Sequence, residues 1–76
     1  MEENKNAVSV MLAGEEFQVA LTPEEEPMAR EAEKLFNEVY QIYVQKYGKL
    51  PRELLLAMTG LGLANKIVSL EKPNLR

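Results

Sequence analysis

LLLAMTGLGLANKIVSL, residues 54–70, is the stretch on which the reading of the fold turns. It is mostly apolar, and its apolar residues do not keep to one side. On a helix of ~3.6 residues per turn, Leu54, Met58, Leu61 and Val68 fall on one stripe. Leu56, Leu63, Ile67 and Leu70 fall on the opposite one. Two apolar faces need two partners, and a chain of 76 residues comfortably supplies one. The second face is therefore expected to be covered by another copy of the chain, with Leu54, Met58, Leu61 and Val68 as the homodimer interface.

Length and composition point the same way. The whole chain, 1–76, is expected to form one small domain. A lone core of this size seldom supplies more than roughly 3–5 kcal/mol. With no cysteine and no histidine, disulfides are excluded and a zinc-type site is not expected. Oligomerisation is the remaining device. The absence of cysteine is compatible with a reducing cytosol, and the start MEENKNAVSV lacks the basic region and apolar run of a signal peptide. The apolar run is shorter than the ~20 residues of a bilayer span. Asn65, Lys66 and Ser69 interrupt it, so no membrane is expected. Twelve acids against nine bases give a net charge of −3, which disfavours nucleic acid as a partner.

Outward from the apolar helix, the rest of the chain divides cleanly. Ala7 to Leu21 reads as a β-hairpin. Val8, Val10 and Leu12 alternate with polar or flexible positions, the turn is Ala13-Gly14-Glu15-Glu16, and Phe17, Val19 and Leu21 resume the alternation. A hairpin is marginal alone, so its apolar face needs helices, and both its edges are open to pairing with another chain. Thr22-Pro23-Glu24-Glu25 has the form of a capping box, with Glu25 reaching back to Thr22. Pro27 leaves the start of the regular helix anywhere between 23 and 27. The helix, about 24–47, carries Met28, Ala32, Leu35, Phe36, Val39, Ile42 and Tyr43 on one face. Arg30, Glu31, Glu33, Lys34, Asn37, Glu38, Gln41 and Gln45 take the other. Gly48 is expected at C′, and Pro51 at the first position of a second helix, about 51–72. Pro73 ends that helix. Gly60 lies on an apolar stripe and is expected to admit a close backbone approach. The fold class is α+β: an N-terminal β-hairpin followed by two antiparallel helices.

The chemistry is sparse. Histidine and cysteine, the usual carriers of proton transfer and nucleophilic attack, are missing. The acids occupy capping and solvated positions, and no glycine-rich phosphate loop is present. No enzyme activity and no cofactor are expected. Lys46, Lys49 and Arg52 place three positive charges around one inter-helix turn. Ordinary solvated loop charge is the plainer reading. The functional one is a docking patch for an acidic partner.

The order VSVMLAGEEFQVAL, TPEEEPM, AREAEKLFNEVYQIYVQKYG and ELLLAMTGLGLANKIVSLEK resembles the globular head of the ZapA family of bacterial cell division proteins. It lacks the long C-terminal coiled coil of longer members. The resemblance implies a cytoplasmic, non-enzymatic protein. It would bind FtsZ and crosslink or bundle its filaments as a homodimer, or as a tetramer where the coiled coil is present. It also implies partner contacts near the inter-helix turn, for which Lys46, Lys49, Arg52 and Glu53 are the nearest matches. Two positions depart: Glu15 follows the turn glycine where the family often has a base, and Gly62 stands in place of an asparagine. The alternative is a dimerisation module serving another cytosolic protein.

Overall fold

The computed structural model describes residues 4–71. In order along the chain come β1 (Asn6–Leu12), β2 (Glu15–Leu21), α1 (Glu26–Tyr47) and α2 (Arg52–Glu71). The fold is α+β, an antiparallel hairpin followed by two helices. Expectations that touch residues 1–3 or 72–76, including the stop at Pro73, lie outside the described residues. Two compact units can be distinguished, Met1–Asn37 and Glu38–Arg76, and the division falls inside α1.

In the first unit, β1 and β2 pair from Asn6↔Leu21 to Leu12↔Glu15. The turn is therefore two residues, Ala13-Gly14, and Glu15-Glu16 already belong to β2. Both turn residues have positive φ, 52° for Ala13 and 84° for Gly14, as a type I′ turn requires. Gly14 adopts this freely, whereas Ala13 does so against the steric preference of an L-residue. Val8 and Val10 are buried, each 8% exposed, so the core of this unit lies on their face of the hairpin.

The capping box forms as read. The Thr22 amide donates to Glu25 Oε1 at 2.9 Å, and the Glu25 amide donates to Thr22 Oγ1 at 3.2 Å. Thr22 O accepts from the amides of Glu25 and Glu26, and Glu25 O from that of Ala29. Pro27 is accommodated at the second residue of α1, where its missing N–H costs one bond at a terminus already short of partners.

Outer-edge groups of β1 are met by side chains of α1. The Met11 amide donates to Glu33 Oε2 at 2.8 Å, and Arg30 Nη1 donates to Ser9 O at 2.9 Å. The Ala13 amide donates to Asn37 Oδ1 at 2.8 Å, while Asn37 Nδ2 donates to Met11 O at 2.9 Å. Arg30 also pairs with Glu33 at 3.0 Å. This corrects the expectation that Arg30, Glu33 and Asn37 form a plain wet face, and that both hairpin edges are open. Their spacing of three and four residues sets them in one row along the helix, and that row is the clasp on β1.

In the second unit, Leu55 and Thr59 of α2 are buried, at 5% and 0% exposure. Neither belongs to the two stripes. Together with Gly62 they form a line between them. Thr59 tolerates full burial because its hydroxyl donates to Leu55 O, one turn back, at 2.8 Å. The close approach expected at Gly60 occurs at Gly62. A Cβ at Gly60 meets nothing within 4 Å, whereas one at Gly62 would lie 2.8 Å from the Tyr43 hydroxyl. Gly60 misses the buried line by its angle on the helix. Gly48 departs from the C′ reading as well, since the positive-φ residues are Ala13 and Gly14. A side chain there would instead strike the Val44 carbonyl, 2.7 Å away.

Much apolar surface stays open in one copy of the chain. Met28, Leu35 and Ile42 of α1 are exposed, and α1 has no fully buried residue, against the expectation of one buried face. In α2, Leu54, Leu61, Ile67, Val68 and Leu70 are exposed, and Met58, Leu56 and Leu63 are half-buried. The expectation that the apolar run is too short for a bilayer is also corrected. At 20 residues, α2 is long and apolar enough by length and composition alone. The core helix of a soluble protein meets the same criterion, and Lys66 lies in the last third of α2.

Candidate functional site

The inter-helix turn is built by local rules. Lys46 lies in the last turn of α1, where a cation suits the negative end of the helix dipole. One turn apart, the rings of Tyr43 and Tyr47 stack with centroids 6.3 Å apart. The Leu50 amide donates to Tyr47 O at 2.9 Å and closes the turn. Pro51 sits one position earlier than expected. Its carbonyl accepts from the amides of Leu54 and Leu55 at 3.0 and 3.2 Å, so it starts the helix and Arg52 is the first residue. Glu53 follows in the first turn of α2, again a sign the dipole favours.

All four site residues expected from the sequence, Lys46, Lys49, Arg52 and Glu53, are exposed. Lys46 and Lys49 line one open depression of about 420 Å³ together with Val44, Gln45, Tyr47, Gly48 and Leu50. Arg52 and Glu53 are not among its lining residues. The depression thus pairs two ammonium groups with an apolar floor from Val44, Tyr47 and Leu50. Such a surface suits a segment that carries both carboxylates and an apolar side chain. The apolar contribution escaped the sequence reading. Val44 was visible as the one large apolar residue on the polar side of α1, and Leu50 as an apolar residue in a loop.

The two carboxyls with shifted titration belong to structural contacts in the other unit. Glu25 is held below its ordinary value by the Thr22 backbone amide, with smaller help from Lys5 and the Thr22 hydroxyl. Glu33 is held low by the Met11 amide and then by Arg30. Both shifts favour the ionised form. That suits a hydrogen-bond acceptor and is the reverse of what a proton donor near neutral pH needs.

The family model described as Cell division protein ZapA matches residues 8–75. No curated protein and no solved structure matches the chain.

Proposed function

Because the chain belongs to the ZapA family of cell division proteins, we propose that it is a non-enzymatic cytoplasmic adaptor that binds FtsZ and bridges its filaments as a homo-oligomer. The observation that carries this reading is the family match over residues 8–75, which spans both units. Association with the FtsZ division machinery is a property of that family.

The mechanism is multivalent. Each copy offers one weak site, the turn carrying Lys46, Lys49, Arg52 and Glu53. A dimer offers two, so that a second filament is captured at the effective concentration set by the first. Self-association uses the stripe Leu54, Met58, Leu61 and Val68, three of whose four residues are exposed in a single copy. Covering them supplies the apolar burial that a chain of this size lacks alone. The basic turn meets an acidic surface of the filament, so binding weakens as salt rises.

High-speed co-sedimentation with polymerised FtsZ tests the reading. The chain is expected in the pellet with filaments and in the supernatant without them. Reversing the charge at Lys46, Lys49 and Arg52 should release it while leaving its oligomeric state unchanged. Failure of the wild-type chain to pellet well above the micromolar range would overturn the division role. Unchanged pelleting of the reversed variant would overturn the site.

A further inference from the structure

The depression at the inter-helix turn combines charge with a held, apolar shape. Tyr47 stacks on Tyr43 with centroids 6.3 Å apart. The Leu50 amide, bonded to Tyr47 O at 2.9 Å, fixes the reversal of the chain. Tyr47 and Leu50 are 41% and 37% exposed, so each keeps open apolar surface in this hollow. Among the described residues, no acid lines it, and neither Lys46 nor Lys49 has an ion-pair partner. Both the charge and the apolar surface are therefore unmatched. At about 420 Å³ the hollow falls in the ~300–1,000 Å³ range of small-ligand sites. That is the size of a few side chains and not of a whole protein face.

We infer that this hollow is a socket for a linear segment of the partner, in which one or two large apolar side chains stand between carboxylates. The apolar side chains lie on Val44, Tyr47 and Leu50. The flanking carboxylates meet Lys46 on the helix side and Lys49 on the turn side. Gln45, exposed and lining the same hollow, offers both a donor and an acceptor to the segment's backbone. Charge and polarity together select this occupant. A free phosphate or a nucleic acid would match the lysines and leave the floor wet. A wholly apolar segment would bring two ammonium groups to the edge of a dry contact without a counter-charge. An acidic segment with an apolar anchor satisfies both. In such a contact the desolvated anchor carries most of the affinity, and the charges at the rim set approach and orientation. Because the turn is held before binding, little ordering is lost on this side of the contact. Arg52 and Glu53 do not line the hollow, so the grip comes from the α1 side of the turn.

This socket presupposes the binding turn proposed above and adds a second determinant to it, apolar contact at Tyr47 and Leu50. Fluorescence anisotropy on the full chain tests it, with a labelled, end-capped peptide that carries Leu-Phe between two pairs of aspartates. The peptide should bind saturably, and replacing its Leu-Phe by Ser-Ser should weaken binding at least about tenfold. Leu50→Ser should weaken it at least about fivefold in a chain whose circular dichroism is unchanged, and Leu50→Met should restore it. Lys46→Gln and Lys49→Gln should each weaken it about two- to fivefold, and less at high salt. Lys34→Gln, which removes the same charge about three turns earlier on α1, should leave the affinity unchanged. Equal binding of the Leu-Phe and Ser-Ser peptides would reduce the hollow to a patch of cations and overturn the socket. So would the absence of saturable binding up to about the millimolar range. Co-sedimentation with FtsZ on the same samples separates the socket from the division role. Peptide binding without pelleting would support the socket and overturn the division role. Pelleting unchanged by Leu50→Ser would overturn the socket and leave the division role standing.

Discussion

Asn37→Ala tests the clasp that makes the hairpin edges unequal. The Asn37 side chain donates to Met11 O of β1 at 2.9 Å and accepts from the amide of the turn residue Ala13 at 2.8 Å. Each bond between neutral groups contributes about 1 kcal/mol net, so deletion removes about 2 kcal/mol. Alanine returns about 0.6 kcal/mol as the better helix former. The expected loss is then about 1–1.5 kcal/mol, a large share of the roughly 3–5 kcal/mol available to a lone core of this size. Urea unfolding followed by circular dichroism measures it, at one fixed protein concentration because self-association feeds into apparent stability. Asn37→Asp is the sharper companion. It keeps the acceptor for Ala13 but turns an oxygen toward the Met11 carbonyl, so it should recover only part of the loss. A change below about 0.5 kcal/mol for Asn37→Ala would mean that water replaces both bonds, and that the clasp does not close the edge of β1.

Three further outcomes follow from other contacts. Thr22→Ala removes the side-chain acceptor of the capping box and should cost about 1 kcal/mol in the same unfolding assay. Gly60→Ala, on an exposed helix position with nothing within 4 Å of the new methyl, should add up to about 1 kcal/mol. Gly62→Ala must displace the Tyr43 hydroxyl and should add less. Stability should also fall in acid. The carboxyls of Glu25 and Glu33 lie below their ordinary value of 4.5 in the folded chain. Their contribution is therefore present above that value and is lost as pH falls through the lower folded one. Glu33→Gln should flatten the slope of stability against pH below 4.5.

The period-2 alternation of residues 7–21 and the Thr22–Glu25 box were legible because each rests on contacts between neighbours in the chain. The excess of apolar surface on α2 was legible too, since it needs only a helical wheel. Long-range pairings were harder to read. Arg30, Glu33 and Asn37 look like any polar helix face until β1 is laid beside them. The buried line of α2 runs through Thr59 and Gly62, whose polarity and small size hid it between two louder apolar stripes. Its signal is the spacing of a small residue and a hydroxyl three apart, with that hydroxyl able to bond its own helix. At the turn, charge drew notice to Lys46 and Lys49, while the apolar floor from Val44 and Leu50 emerges only when the chain reverses.

Bridging, rather than binding alone, is the central claim, and low-speed sedimentation of FtsZ filaments reads it most directly, because single filaments stay suspended and bundles pellet. The wild-type chain should drive FtsZ into the low-speed pellet. Leu61→Asp should not, although it still co-sediments at high speed. Leu61 is 63% exposed in a single copy, so the charge is tolerated in the folded monomer and disfavoured where a second copy covers it. Equal bundling by the wild type and by a Leu61→Asp chain shown to be monomeric would contradict the account.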